Sequence, residues 1–334
     1  MRVAILDDYQ RVALASADWP DAEITVFTEH IERTEALVRA LEPFDVIVAM
    51  RERTAFTAER LSLLPNLRLL VTTGMGNASI DLDAARARGV TVCGTGSGHG
   101  ATAELTWGLI LAVTRHIPLE DGLLKAAGGP GGAAVANGWQ HTIGTGLHGK
   151  HLGIVGLGTQ GRQVAKVGRA FGMKILTWSQ NLDAERAFKA HAEPVSKEEL
   201  FGRSDVVSVH YKLSPRSVGL VGAAEFSRMK RSAYLINTSR GPIVSEVALV
   251  DALRSGAIAG AGLDVYDTEP LPLSHPLRRL PNVVLTPHLG YVTDDTYSVF
   301  FGEAAEDIAA FARGEPVRVL NLSGCPPGAT AGQG

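Results

Sequence analysis

The stretch HLGIVGLGTQGRQVAKVGRAFG, His151 to Gly172, constrains the fold of this chain more than any other. An apolar strand, LGIV, runs into Gly156, Gly158 and Gly161, and a helical pattern follows at once. Three glycines at this spacing, between a strand and a helix, make a dinucleotide-binding turn. The first permits the tight turn and the second lets the backbone approach a pyrophosphate. The third allows close helix–strand packing, while the helix N-terminus faces the negative charge. The turn lies almost halfway along the chain, whereas a self-standing unit would carry it near its own start. The residues before it therefore need their own account.

Those residues show short apolar runs bounded by polar or glycine residues: VAIL (Val3 to Leu6), DVIVAM (Asp45 to Met50) and LRLLVTTG (Leu67 to Gly74). Such runs read as buried parallel strands. TEALVRALEP between them places Leu37 and Leu41 on one helical face and ends at Pro43. A longer helical pattern spans Thr102 to Ala126, bent or restarted at Pro118, and could bridge two domains. After the glycine-rich GGPGGAAVANGW, strands recur at LGIVGLG, KILTWS, VVSVHY, YLINTS, IAGAGLDVY and VVLTPH with helical intervals, which implies a second doubly wound sheet. A last helix is expected over Asp294 to Ala312, before a tail, GCPPGATAGQG, whose composition argues for disorder. No fixed-period repeat is found.

A chain of 334 residues exceeds the size, about 250 residues, at which a single core stops growing, so two cores are expected. A net charge of -3 gives no bias toward nucleic acid or an anionic membrane. The start, MRVAILDDYQ, has neither a basic leader with a long apolar core nor a run able to span a bilayer, which favours the cytosol. Cys93 and Cys325 are the two cysteines; a buried thiol and a tail thiol are favoured over a disulfide.

At the end of KILTWSQN, where an acid would bind the ribose hydroxyls of NAD and repel the 2′-phosphate of NADP, the chain has Ser179. Serine donates a hydrogen bond without repulsion, so NAD and NADP both stay open.

From Gly153 to His288 the motifs GIVGLGTQG, DVVSVHYKLSPRSVGLV, LINTSRG, AGLDVYDTEP and NVVLTPHLG follow in order, with TTGMGNASIDLDAARARGV and ATAEL upstream. In this series the chain resembles the D-isomer-specific 2-hydroxyacid dehydrogenases over nearly all its length except the tail. The resemblance implies two doubly wound α/β domains with parallel sheets. A Rossmann cofactor domain, residues 99–290, would be inserted into a flavodoxin-like substrate domain built from 1–98 and 291–322, with 323–334 as a disordered tail. The insertion would explain the late position of the glycine turn. Active sites of such enzymes lie in the cleft between domains, and a homodimer through the bridging helix is implied.

The resemblance also assigns roles. Arg240, at a strand end in NTSRG, becomes the substrate arginine; its planar fork can hold a carboxylate and polarise the adjacent ketone. His288 in LTPHLG becomes the general acid for ketone reduction and the base for alcohol oxidation, and Glu269 in DTEP pairs with it and orients the ring. Glutamate here argues against the formate dehydrogenase branch, which uses glutamine. Asp264 matches the contact to the nicotinamide carboxamide, Thr238 and Ser239 match backbone contacts beside it, and Thr159 and Gln160 match pyrophosphate contacts. Tyr211 and Ser217 join the cofactor set, although Lys212 stands where the family commonly has proline. The backbone N–H groups of Met75 and Gly76 would meet the substrate carboxylate; the common acid after that loop is here Ala78. Arg51 and Arg53 in MRERT either grip a distal carboxylate or phosphate or belong to a solvated face. No metal ligand set is assigned.

The reading is an NAD(P)-dependent enzyme moving hydride between the nicotinamide and C2 of a small 2-oxo acid or D-2-hydroxy acid. A phosphoglycerate dehydrogenase-like enzyme is the nearest alternative, suggested by MRERT. A dinucleotide-sensing regulator or corepressor on the same fold is the more distant one, and no basic arm or appended domain supports it.

Overall fold

A computed structural model of the chain describes residues 1–127 and 139–322. The glycine-rich loop and the tail with Cys325 lie outside these residues. The chain separates into two compact units, one formed by Met1–His99 with the described residues from Val292 onward, the other by Gly100–Tyr291.

The first unit begins with β1 (Arg2–Ile5), β2 (Glu23–Val26), α1 (Thr34–Leu41), β3 (Val46–Ala49), α2 (Ala58–Ser62), β4 (Leu69–Thr72), α3 (Leu82–Ala87) and β5 (Thr91–Gly94). Its five strands are parallel in the order β2-β1-β3-β4-β5, the flavodoxin-like winding. The strands VIVA and LLVT are buried at every residue because helices cover both faces of a parallel sheet, which is why they are continuous apolar runs rather than alternating ones.

The second unit holds α4 (Ala101–Thr114), α5 (Ile117–Ala127), β6 (His151–Val155), α6 (Thr159–Ala170), β7 (Lys174–Trp178), α7 (Ala184–Lys189), β8 (Glu193–Pro194), α8 (Lys197–Arg203) and β9 (Val206–Val209). It continues through α9 (Ala223–Arg228), β10 (Tyr234–Asn237), α10 (Glu246–Arg254), β11 (Gly260–Leu263) and β12 (Val283–Leu285). The seven parallel strands run β12-β11-β10-β9-β6-β7-β8. Taken from β6, this is the 3-2-1-4-5-6 order of the Rossmann fold with one strand added, and the winding reverses between β6 and β9. Ligands of open α/β sheets bind outside the strand ends at such a point, where the Gly156 turn sits. The helical pattern over Thr102 to Ala126 restarts as two helices: the chain breaks at His116, whose φ is +54°, and Pro118 lies in the first turn of α5, where its missing N–H has no helical partner to lose.

The chain then re-enters the first unit as α11 (Asp294–Ala312), capped by the Thr293 hydroxyl and packed along β4. Beyond α11 the backbone runs antiparallel to β5 at Cys93 and Val319, and Asn321 pairs with both Val90 and Val92. This last segment covers the open edge of β5. Cys93 beneath it is fully buried, and burial pushes its thiol up to about 12, which leaves it a packing residue. Among the described residues no helix is long and apolar enough to cross a membrane.

Candidate active site

In the second unit each glycine of the turn has its own spatial reason. Gly156 takes φ +97°, and a Cβ on it would lie 2.5 Å from the His210 carbonyl oxygen at the end of β9. A Cβ on Gly161 would lie 2.2 Å from the Gly156 carbonyl oxygen. Around Gly158, by contrast, a Cβ would meet nothing within 4 Å. That position is glycine for the sake of space outside the protein's own packing. Gly158 is the N-cap of α6 and offers no side-chain cap, and no acidic residue occupies the first turn. The leading N–H groups of α6, with about half a positive charge from its dipole, therefore face that space with the exposed Thr159. These features fit a dinucleotide pyrophosphate. Gln160 is half-buried, with its side-chain oxygen unpaired.

At the end of β7, half-buried Ser179 follows Trp178, whose ring stacks on Tyr211 with centroids 6.1 Å apart and an interplanar angle of 16°. Lys197 Nζ lies 5.8 Å from the Trp178 ring while pairing with Glu225 at 2.8 Å. Arg186 and Lys212 are exposed. Ser217 sits on the loop that follows β9. It is buried, and its hydroxyl accepts from the Ser214 N–H at 2.7 Å and donates to the Lys212 carbonyl at 2.8 Å, so it shapes its own loop.

Arg240 emerges just past β10 on a turn clamped by Asn237, whose side chain accepts from the Ser239 N–H and donates to the Arg240 carbonyl, each at 3.1 Å. The Ser239 hydroxyl donates to the Tyr211 carbonyl at 2.5 Å, tying this turn to the cofactor side. Gly241 brings the turn against the backbone of Tyr266 and Asp267; a Cβ on it would lie 2.0 Å from the Tyr266 carbonyl carbon. That approach sets Arg240 beside the loop that carries Glu269. One Glu269 oxygen accepts from the Tyr266 N–H at 2.9 Å and the other meets His288 Nδ1 at 2.6 Å. The pair is about a quarter to a third exposed, so its worth to stability is about 1 kcal/mol or less. Its effect is orientation: Nδ1 carries the proton facing Glu269, and Nε2 points away from that carboxylate.

His288 itself sits at φ +55°, held there by its N–H donating to the Asp264 carbonyl at 2.9 Å. The Asp264 side chain is fully buried and accepts from the Thr286 hydroxyl (2.6 Å), the Leu289 N–H (2.7 Å) and the Gly290 N–H (2.9 Å). Burial pushes this carboxyl up while those donors act against the shift. The Asp264 carboxylate thus holds the loop that carries His288.

In the first unit, the turn after β4 has Gly74 at φ +91°, with its N–H donating to the Thr95 hydroxyl at 2.8 Å. Met75 and Gly76 are exposed, and their N–H groups meet no acceptor among the described residues. Arg51 lies on this turn. Its Nη1 donates to the Thr73 carbonyl at 3.1 Å, and a Cβ on Gly74 would stand 1.8 Å from that nitrogen. Arg53 turns elsewhere, donating to the Asp7 carbonyl at 2.7 Å with its guanidinium 4.4 Å from the Tyr9 ring centroid. The two side chains thus contact different loops, Arg51 the Gly74 turn and Arg53 the end of β1.

Comparison with known proteins bears on this arrangement directly. Residues 107–290, more than half the chain, match the profile of the D-isomer specific 2-hydroxyacid dehydrogenase, NAD binding domain. The chain belongs to the D-isomer-specific 2-hydroxyacid dehydrogenase family. It is similar to a glyoxylate reductase of Aeropyrum pernix, 40% identical over 265 residues that cover 78% of each chain. It is also similar to a D-3-phosphoglycerate dehydrogenase of Archaeoglobus fulgidus, 35% identical over 88% of this chain but only 54% of that protein. Among solved structures, a phosphoglycerate oxidoreductase from Vibrio cholerae superposes with a TM-score of 0.87 at 36% identity, covering 94% of this chain and 99% of that one. As a member of the family the protein is an NAD(P)-dependent 2-hydroxyacid dehydrogenase, and its second unit is the nucleotide-binding domain. Gly241, Trp178 and the Asp264 clamp are parts of this dehydrogenase that sequence reasoning did not single out. Gly241 alone carried a signal, as the glycine that follows the candidate arginine.

Proposed function

We propose that the protein reduces a small 2-oxo acid to its D-2-hydroxy acid, and runs the reverse oxidation, with Arg240, Glu269 and His288 as its catalytic residues. The observation that carries this reading is the 2.6 Å Glu269–His288 contact, anchored by the Tyr266 N–H, on a loop packed against the turn of Arg240. NAD(P)H, held at Gly156, Gly158 and Gly161 with Thr159, Gln160, Ser179, Tyr211 and the backbone of Thr238 and Ser239, supplies hydride when bound. Arg240 holds the substrate carboxylate bidentately and draws charge from the ketone. As C2 is reduced, His288 Nε2 delivers a proton to the ketone oxygen, and Glu269 steadies the ring throughout.

The curated relatives favour glyoxylate as substrate class, and a 3-phosphoglycerate-type acid is the second reading, supported by Arg51 lying on the Gly74 turn. Oxidation of NADH and NADPH across glyoxylate, hydroxypyruvate, phosphohydroxypyruvate, phenylpyruvate and branched 2-oxo acids separates them. Arg240→Lys should lose at least about a hundredfold in kcat/KM while keeping cofactor affinity, because a point charge cannot reproduce the bidentate fork. Wild-type turnover in that variant would sink the assignment.

The protein is read as a cytoplasmic homodimer with no nucleic-acid partner. The apolar surface on and after α5, with Ile117 52%, Leu124 56%, Trp139 75% and Ile143 95% exposed, is large enough in side chains to want a cover. Sedimentation velocity should give twice the chain mass for the wild type and a monomer for Ile143→Asp; a monomeric wild type would refute the dimer.

A further inference from the structure

We propose that Thr102 and Thr106, one helical turn apart on α4, are positioning residues that hold the Arg240 turn and the His288 loop in register with each other. Residues at i and i+4 lie on one face of a helix, so both hydroxyls address the same side. The Thr106 hydroxyl donates to the Thr102 carbonyl at 2.7 Å, which uses its single proton. In its 2.8 Å contact with the Thr238 hydroxyl it must therefore accept, and Thr238 is the donor. Thr238 is the second residue before Arg240, and both hydroxyls are buried. One turn earlier on α4, the Thr102 hydroxyl donates to the Gly290 carbonyl at 2.9 Å, two residues past His288. Gly290 is closely packed: a Cβ would lie 3.2 Å from Asp264 Oδ2 and 3.3 Å from Thr102 Cγ2. The His288 loop is thus gripped between Asp264 and Thr102.

A helix can act as a reference only if it is itself fixed, and α4 is. Trp107 donates to the Val164 carbonyl of α6 at 3.2 Å and stacks on Phe171 with centroids 4.9 Å apart. On the sheet side Leu109 crosses β11 at Gly262, where a Cβ would be 3.0 Å from the Leu109 Cβ. The same helix thereby touches the nucleotide helix, the arginine turn and the histidine loop. Reaction geometry tolerates little error, since about 1 Å of misplacement costs on the order of a hundredfold in rate.

The proposal rests on the assignment of Arg240 and His288 above, so its test includes a readout that needs no turnover. In amide hydrogen exchange of the full chain, Thr106→Val should speed exchange over residues 238–244 and leave 286–290 unchanged. Thr102→Val should do the reverse. Thr114→Val is the matched control: Thr114 is equally buried on α4 and makes the same back-bond, to Ile110, but touches neither loop. In steady-state kinetics, Thr106→Val should raise the KM for the 2-oxo acid and lower kcat about tenfold. Thr102→Val should lower kcat and move its pH profile, and the two Thr→Ser variants should restore wild-type values. If both valine variants exchange and turn over like the wild type, or like Thr114→Val, the proposal is wrong. If the exchange pattern appears while Arg240→Lys and wild type turn over equally, the loop-holding stands and the catalytic assignment falls instead.

Discussion

Ser179 shows how far one side chain can set cofactor choice. A carboxylate about 4 Å from a 2′-phosphate costs roughly 1 to 4 kcal/mol per unit charge, depending on how well water screens the pair. Serine at the end of β7 removes that cost but adds no attraction, and the cations Arg186 and Lys212 are exposed. The wild type should therefore use both cofactors with NADP somewhat favoured, and Ser179→Asp should move the preference toward NAD by at least about tenfold. Steady-state kinetics with each cofactor decides this; strict NAD dependence of the wild type, or an unmoved ratio in the variant, refutes it. Glu269 and His288 were legible as a pair because each sits in a short motif of its own. Asp264 was legible as a site residue but its hold on the His288 loop was not, since its partners lie 22 to 26 residues away and only the folded loop brings them to it.

Among the elements, α6 and its turn separate two uses of glycine. Gly161→Ala forces a methyl group to 2.2 Å from the Gly156 carbonyl and should destabilise the unit by about 1–3 kcal/mol. Gly158→Ala meets nothing in the protein, so its melting temperature should stay at the wild-type value while NADPH affinity falls, because the methyl group occupies the pyrophosphate space. Thermal denaturation and fluorescence titration with NADPH, run on both variants, check the split. Equal destabilisation of both would show that Gly158 is structural. The helix–helix break at His116 illustrates the opposite limit of sequence reading. Pro118 announced an interruption, but whether the chain would bend or restart depended on the left-handed residue two positions earlier.

At the scale of the whole molecule, acid–base stability is concentrated where α11 meets the last described segment. Asp307 is fully buried and one of its oxygens has no partner; the other accepts from Arg318 Nε at 3.0 Å. Burial raises its carboxyl from 3.8 to about 7, with Arg318 pulling the other way. Because the folded state then binds more protons than the unfolded state between those values, stability falls as pH rises from about 4 to about 7. Asp307→Asn removes that titration. The stability of the variant relative to wild type should therefore increase from pH 5 to pH 8 in urea denaturation, and a difference that does not change with pH would exclude Asp307 as the source.

The amino-acid sequence by itself determined the periods: continuous apolar runs that can only be strands buried on both faces, helical stripes between them, and a glycine turn whose spacing admits a pyrophosphate. Short motifs that follow such runs also singled out Arg240, Glu269 and His288 as candidate catalytic residues, through the family resemblance those motifs carry. These are local properties, set by backbone sterics and by burial along one segment. Tertiary structure decided everything that needs two distant segments at once. It sent Arg51 and Arg53 to different loops and made Ser217 a loop residue. It used Gly241 to press the Arg240 turn against the Tyr266–Asp267 backbone, and it placed two threonines of α4 against the Arg240 turn and the His288 loop. Hydrogen bonds and close packing of this kind depend on distances of a few tenths of an ångström between residues far apart in the chain, and no local pattern encodes them.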